Sequence, residues 1–463
     1  MTVNRRGPSI TRMVSYVLVG AGARGKDAYG RWIARNPSKA RLLAVAEPRE
    51  ARREQCAAQN GIPTGERFAD WRELLARPRR ADACIVATQD HEHVGPALAA
   101  MGAGYHVLLE KPMAVTEQDC RDLVTACERH GVVLRVCHVL RSTPFFAAMR
   151  NAIASGMIGD LVTIRHSENV SYWHYAHSYV RGNWRSAAAA SPMILAKSCH
   201  DLDLLCWLAG APATAVQSFG SQEYFRADKA PRGAPARCTD GCPHQASCPW
   251  YAPRMYLHGT PMLKDTAIGN RSFLGILARI FATEPFDRLW NWKEWPATTI
   301  SDDLSREARW EALRTGPYGR CVFRCDNDVV DRQVVNVRFA NAVTASFNLH
   351  GHSYLEGRQI RVDGSAGSLE GWFGQSGEDL VFFDHRRGGR RRLWHNDNPF
   401  KGHGGGDAGL MEQFTRQVEA ALRGEPVTDE AGSAAASLRS HLLCFAAERS
   451  RLSGQVVSLN EEG

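Results

Sequence analysis

Several things are missing from this 463-residue sequence, and each absence narrows what it can be. No run of about 18 apolar residues occurs, so no membrane-spanning helix and no membrane partner are expected. The opening MTVNRRGPSITRM is polar and basic, and the apolar YVLVG near it is too short for a signal-peptide core. The expectation is a cytoplasmic protein, with residues 1–12 a flexible tail and Met13 an alternative start. Internal repeats and low-complexity linkers are absent. So is a continuous basic face with interleaved aromatics, which argues against a nucleic-acid partner. The one dense basic run, RRGGRRR at 386–392, reads as a solvated hairpin with Gly388-Gly389 supplying the turn.

What is present is an ordinary globular mixture, long enough for two or three cores. In residues 13–140, SYVLVG, LLAVAE, ACIVAT, HVLLE and VVLRV have strand length and are apolar nearly throughout. Strands apolar on both sides are buried on both faces, as in a parallel sheet covered by helices. Between them lie amphipathic stretches such as TEQDCRDLVTACERHG, with Thr116 as a start signal and Gly131 as a stop. The alternation predicts a doubly wound α/β, or Rossmann, domain over 13–140. Residues 141–463 change rhythm. RQVVNVRF, AVTASFNLHG, QIRVDG, GSLEGWF and EDLVFFDH predict an α+β domain built on a large open, mostly antiparallel sheet. MEQFTRQVEAALRG and SAAASLRSHLLCFAAERS read as closing helices of that domain, and about 236–325 reads as an insertion rich in Cys and Trp.

Eight of the thirteen cysteines are scattered among apolar residues and read as small core side chains. The other five, Cys238, Cys242, Cys248, Cys321 and Cys325, form two close sets that folding could unite around a structural zinc. Disulfides or free thiols are the alternatives, because the spacing is not the tight C-x2-C pair.

Gly20-Ala21-Gly22-Ala23-Arg24-Gly25 directly follows a strand and opens a helical stretch. Gly20 allows the tight turn, Gly22 lets a pyrophosphate approach the backbone, and Gly25 permits close helix–strand packing. An acid is wanted about 20 residues on, and Glu47 stands there. A carboxylate accepts ribose hydroxyls and repels a 2′-phosphate, so NAD is favoured over NADP, with Arg49 pulling the other way. Glu110-Lys111-Pro112 ends a further strand, and ligands in such sheets bind beyond the strands' carboxyl ends.

These residues, with Thr88-Gln89…His93 and Cys199-His200-Asp201-Leu202-Asp203, resemble the Gfo/Idh/MocA family of NAD(P)-dependent oxidoreductases. The resemblance implies a Rossmann domain followed by an α/β domain whose open sheet supports the substrate pocket and often forms a homo-oligomer. It implies cofactor contacts at Gly20, Gly22, Ala23, Arg24, Gly25, Glu47, Thr88, Gln89, His93, Glu110 and Lys111. It also implies hydride exchange with a secondary hydroxyl of a sugar or cyclitol, with Lys111 as active-site lysine and His200 as active-site histidine. Many members carry an Asp four residues before that histidine, where this sequence has Ala196, beside Lys197.

The chemistry needs a base for the hydroxyl proton and a cation for the developing alkoxide. His200 suits the first role and Lys111 the second. If ILAKSCHDLDLLCWLAG is one helix, Asp203 could orient His200, and Lys197 could hold it neutral. Upstream, Tyr172, His174, His177, Trp184 and their neighbours suit sugar hydroxyls and C–H faces, and Arg181 and Arg185 could grip a carboxylate. His403 and Asp407, in Gly402-His403-Gly404-Gly405-Gly406-Asp407, would face the pocket from a helix start. That element resembles one in the family's NAD-dependent glycosidases, so redox-assisted glycoside cleavage is the first alternative function. A non-catalytic dinucleotide sensor is the second.

Overall fold

The computed structural model describes residues 12–269, 290–397, 403–427 and 432–459, with the side chains of 265–269 and His403 outside the description. The chain divides into two units, 1–143 with 405–438, and 144–404 with 439–463.

In the first unit, six strands lie in the order β3-β2-β1-β4-β5-β6, all parallel. They are β1 (Val14–Val19), β2 (Ala40–Ala46), β3 (Arg67–Phe68), β4 (Ala83–Val86), β5 (His106–Leu109) and β6 (Leu134–Val136). Every residue of β4 and β5 is buried, as strands covered on both faces must be. Helices α1 (Arg31–Arg35), α2 (Glu50–Asn60), α3 (Trp71–Leu75), α4 (Val94–Gly102) and α5 (Glu117–His130) connect them. Thr116 caps α5 by accepting a bond from Asp119 N at 3.1 Å, and Gly131 ends it at φ +61°, a conformation cheap only for glycine. The doubly wound sheet is therefore as expected.

One helix is not where the linear reading placed it. Gly406–Leu422 belongs to the first unit, where Leu410, Met411, Phe414 and Val418 pack in one cluster with Tyr16, Leu18 and Leu42. Tyr16 and Thr415 hydroxyls bond at 2.8 Å inside that core. An amphipathic helix shows which of its faces needs covering but not by what, so chain order alone assigned it to the wrong sheet.

The second unit is built on nine strands in the order β14-β13-β12-β11-β7-β10-β9-β8-β15. These are β7 (Leu161–Ser171), β8 (Ala213–Ser221), β9 (Arg332–Phe339), β10 (Thr344–Ser353), β11 (Gly357–Gly364), β12 (Gly367–Gly374), β13 (Gly377–Asp384), β14 (Gly389–Asn396) and β15 (Val457–Ser458). Only the β7–β10 pair is parallel, so the sheet is mostly antiparallel, as expected. Burial alternates residue by residue along β9, so one face is covered and the other faces water. RRGGRRR forms the β13–β14 turn with Gly388 at φ +62°.

The helices α6 (Pro144–Ala154), α7 (Tyr172–Tyr175), α8 (Met193–Ala196) and α9 (Cys199–Ala209) belong to this unit. The expected single helix around His200 is broken: Lys197 and Ser198 separate α8 from α9, and a new first turn starts with Asp201 N donating to Ser198 O at 2.9 Å. Among the described residues no helix is long and apolar enough to cross a membrane.

Candidate functional site

In the first unit the carboxyl ends of β1, β2, β4 and β5 carry the glycine turn, Glu47, the Thr88–His93 segment and Glu110-Lys111. Gly20 has φ +88°, and a Cβ there would lie 2.5 Å from Ala87 O. At Gly25 a Cβ would meet Gly20 O at 1.9 Å, so only glycine lets the helical stretch start so close to the strand. Gly22 differs: the nearest atom to its would-be Cβ is Arg52 Nη1 at 3.9 Å, so the backbone there is open to a ligand. The turn thus fits a dinucleotide pyrophosphate, with crowding on the protein side and space on the other. Ala23 opens the helical stretch that follows.

Glu47 is buried and accepts from Ala21 N at 2.7 Å and Arg49 N at 3.0 Å, which fixes its carboxylate against the glycine turn. Thr88 Oγ1 donates to Glu92 O at 3.1 Å, closing the loop that contains Gln89. The buried His93 donates through Nδ1 to Pro112 O at 2.7 Å, tying that loop to the Lys111-Pro112 turn. Glu110 Oε2 accepts from Lys111 N at 2.9 Å, while Oε1 accepts from Arg24 Nε at 2.6 Å and from Tyr29 OH. Arg24 also donates to Asp407 at 2.7 Å. Burial alone would raise the Glu110 pKa, but Arg24, the Tyr29 hydroxyl and Lys111 hold it below the usual range. The carboxylate is therefore ionised beside Lys111.

Asp407 was expected to face substrate; it pairs instead with Arg24 inside the dinucleotide-binding unit. The His403 side chain lies outside the described residues. Two of the three glycines between them, Gly404 and Gly406, are set by packing, while Gly405 has open space and a φ of +86°. A Cβ on Gly404 would lie 2.6 Å from Glu378 and Phe373, and one on Gly406 would lie 2.5 Å from Val139 O.

In the second unit, a buried charge network spans β7, β11 and the start of α9. Arg358 stands opposite Glu168 in the β7–β11 register and reaches it at 2.7 Å. Arg358 Nε donates to Asp201 at 2.7 Å, and His166 Nε2 donates to the same oxygen at 2.8 Å. Lys197 lies 3.1 Å from Glu168 and 3.4 Å from Glu356. His174 Nδ1 is 2.7 and 2.8 Å from the two Glu356 oxygens, and Ser171 Oγ donates to Glu356 at 2.8 Å. His200 and Asp203 are both buried in the first turns of α9. Lys197 was expected to act on His200 as a bare positive charge; two carboxylates match that charge instead. Burial disfavours the ammonium, but Glu168 and Glu356 outweigh it and raise its pKa.

Other expected substrate contacts divide. Tyr172 gives its carbonyl to Trp250 Nε1 at 3.1 Å, and Trp184 packs 6.3 Å from Tyr179. His177 is buried with Nδ1 2.9 Å from Tyr256 OH, a packing role. Arg181 and Arg185 are not a carboxylate clamp. Arg181 is fully buried and donates to Arg320 O and Trp250 O, both at 2.8 Å, and Arg185 pairs with Asp326 at 3.0 Å. Trp295 of the insertion packs edge-on to His174 at 5.1 Å and to His177 at 5.3 Å.

Four of the five clustered cysteines, Cys238, Cys248, Cys321 and Cys325, lie around Arg181, with its Nη2 3.5 Å from Cys238 Sγ. Cys238 N donates to Gly319 O and Cys321 N to Ala236 O, both at 2.8 Å, so a two-segment ladder joins the two sets. All thirteen cysteines are free thiols, and among the described residues no three Cys, His, Asp or Glu side chains are arranged to hold a metal. The zinc expected from spacing therefore has no ligand cage here; a guanidinium occupies the cluster.

Glu168, Glu356 and Arg358 were missed in the sequence. A period-two pattern places Glu168 and Arg358 on one face each, but only the register makes them partners.

Comparison with known proteins gives a consistent result. The oxidoreductase family profile with an NAD-binding Rossmann fold matches residues 14–138, and the GFO/IDH/MocA C-terminal domain matches 146–259. A 1,5-anhydro-D-fructose reductase from Ensifer adhaerens is 39% identical over 163 residues, 35% of this chain and 46% of that protein. A 2,7-anhydro-N-acetylneuraminate hydratase from Mediterraneibacter gnavus is 30% identical over 217 residues, 45% of this chain and 53% of that protein. The chain spans about half the length of these curated relatives. The solved structure of a levoglucosan dehydrogenase with NADH and levoglucosan shares the fold at TM-score 0.64 and 18% identity, covering 97% of this chain and all of that one.

Proposed function

The chain belongs to the GFO/IDH/MocA oxidoreductase family, and from that premise we propose that it transfers hydride between a nicotinamide dinucleotide and a secondary hydroxyl or keto group of a sugar, sugar derivative or cyclitol. The observation that carries this reading is the open backbone at Gly22, with Glu110-Lys111 at the end of a neighbouring parallel strand. NAD(H) is favoured over NADP(H) because Glu47 sets a carboxylate at the end of β2, against the turn. The substrate class draws on the sugar-derived compounds named for the relatives. A homo-oligomer belongs to the same proposal.

A bound nicotinamide would accept or return the hydride. Lys111 supplies positive charge to the substrate oxygen as alkoxide character develops. His200 takes the hydroxyl proton during oxidation and returns it during reduction. Glu110 holds the Lys111 backbone through its own carboxylate and keeps that segment fixed against Arg24.

The test is titration with NAD+ and NADP+, followed by a sugar and cyclitol panel read at 340 nm. Tight NAD+ binding with NADH formation from at least one secondary alcohol is expected. No binding of either dinucleotide at millimolar concentration would refute the assignment.

A further inference from the structure

The hydride-transfer reading uses Lys111 and His200 and leaves the insertion without a task. Trp295 belongs to that insertion, beyond residue 259, where the match to the family's C-terminal domain ends. The chain around it is firmly held. Trp292 N donates to Leu257 O at 3.0 Å, and Trp292 Nε1 donates to Trp295 O at 3.0 Å. Gly259, at φ +72°, lets this turn close, since a Cβ there would lie 2.5 Å from the Trp292 ring. Arg309, fully buried, donates to Tyr256 O at 2.8 Å and to Trp292 O. Pro296 and Ala297, which follow Trp295 directly, are buried. Yet Trp295 itself keeps 39% of its surface exposed. Single exposed apolar residues are common and need no function. What sets this one apart is the company it keeps.

The indole packs 5.4 Å from Trp173 and stands at right angles to His174 at 5.1 Å and His177 at 5.3 Å. Trp173 and His177 are buried, but the His174 side chain keeps 18% of its surface exposed. His174 Nδ1 donates to both oxygens of Glu356, at 2.7 and 2.8 Å. Ser171 Oγ at 2.8 Å and Lys197 at 3.4 Å hold the same carboxylate. The imidazole is thereby fixed, and among the described residues no hydrogen bond reaches its Nε2. A hydroxyl both donates and accepts, so it can meet Nε2 whether or not that nitrogen carries a proton. An open indole beside a fixed polar tip fits a pyranose, which offers C–H groups on its face and hydroxyls round its edge.

Position and charge narrow the ligand further. Lys197 is three residues before His200, and Glu356 and His174 stand in series between Lys197 and Trp295. A ring that reacts at His200 therefore leaves the indole to the ring beside it. Glu168, Glu356 and Asp201 pair with Lys197 and Arg358. Arg181 is engaged by backbone carbonyls and Arg185 by Asp326. A sugar carboxylate brought here would join three others and find these cations already matched, so a neutral sugar is favoured.

We propose that Trp295 and His174 form a second carbohydrate subsite, which takes the sugar ring next to the one that exchanges hydride. The ligand is a neutral saccharide of at least two rings. Its outer ring lies against the exposed indole and bonds a hydroxyl to His174 Nε2, while Glu356 keeps the imidazole in place. The proposal rests on the oxidoreductase reading above for what happens to the inner ring. Binding of the outer ring does not depend on it.

Calorimetric titration separates the two. D-Glucose, D-galactose, cellobiose, maltose, lactose, sucrose, trehalose and the acidic disaccharide cellobiouronate are titrated into the full chain, with and without NAD+. At least one neutral disaccharide should bind at least about 10-fold more tightly than either monosaccharide, and cellobiouronate more weakly than that disaccharide. Trp295→Ala should raise the Kd for the preferred disaccharide by about 10-fold, with the Kd for the monosaccharides and for NAD+ changed by less than about twofold. Trp295→Phe, which keeps a flat ring, should recover most of the loss. His174→Gln should weaken the disaccharide selectively as well, and it decides the matter if Trp295→Ala fails to fold. No neutral disaccharide binding more tightly than the monosaccharides, a preference for cellobiouronate, or equal weakening of monosaccharide and disaccharide in the deciding variant overturns the subsite and leaves the oxidoreductase reading in place. Disaccharide binding that depends on Trp295, in a protein that binds neither NAD+ nor NADP+, overturns the oxidoreductase reading and leaves the subsite.

Discussion

Arg358 Nε donates to Asp201 Oδ1 at 2.7 Å, and the Asp201 side chain has no exposed surface. The bond ties β11 to the first turn of α9, one residue after His200. A buried charge of this kind is tolerated only because it is paired, and its desolvation cost is large when a partner is removed. The position of His200 therefore depends on electrostatics as much as on helix packing.

That dependence should be visible in pH. Burial alone would raise the Asp201 pKa, but Arg358 and His166 lower it from the ordinary 3.8 to about 2. A folded-state value below the unfolded one contributes stability above about pH 4, lost as pH falls toward 2. The contribution is on the order of 2 kcal/mol at neutral pH. Urea titrations of wild type and Asp201→Asn at pH 7 and pH 3 should show the gap between them narrowing at the lower pH. A gap that stays constant would rule the linkage out.

Arg24 is the corresponding cation of the first unit, set between Glu110 and Asp407. Arg24→Met leaves both carboxylates without it, and Glu110 is nearly sealed from water. A loss on the order of 3 kcal/mol is expected, with dinucleotide affinity lowered because the glycine turn carries this residue. Chemical denaturation and NAD+ titration of the variant measure both. Unchanged stability would mean that the remaining protons, from Tyr29 and Lys111 N, suffice for Glu110.

Much of this was legible in the sequence because local rules govern it. The parallel strands, the Thr116 cap, the Gly131 stop and the glycine turn follow from composition over a few residues. Lys111 was legible as the end of a buried strand. What failed were readings that need a distant partner. Asp407 was assigned to substrate because nothing in its own segment points to Arg24, 383 residues away. Arg181 and Arg185 looked free because their partners, Arg320, Trp250 and Asp326, lie beyond or within the insertion. Glu356 went unnoticed in a short link between β10 and β11, although it organises Ser171, His174 and Lys197.

Lys111 should separate binding from chemistry. If its ammonium acts on charge that develops only as hydride leaves, Lys111→Ala lowers turnover by about 10²-fold or more while NAD+ affinity is largely kept. Steady-state rates on any substrate found in the sugar panel, with NAD+ binding followed by fluorescence, measure the two effects. Near-normal turnover removes Lys111 from the mechanism.

Two glycines three residues apart give the sharpest test of the dinucleotide site. Gly25 is enclosed: a methyl group there would lie 1.9 Å from Gly20 O, and backbone cannot give way as a flexible side chain can. Gly25→Ala should therefore cost several kcal/mol and lower the melting temperature whatever the ligand. Gly22 sits at φ −69°, which alanine adopts freely, and its methyl would meet only the end of the Arg52 side chain at 3.9 Å. Gly22→Ala should leave stability within about 0.5 kcal/mol of wild type, because nothing in the folded chain resists it. Its effect should fall on the ligand alone, since the methyl projects into the space left for the pyrophosphate. A rise of at least about 10-fold in the Kd for NAD+, with an unchanged melting temperature in its absence, is the expected result. If Gly22→Ala binds NAD+ as tightly as wild type, the phosphates do not pass over this turn, and the residues built around it serve another purpose.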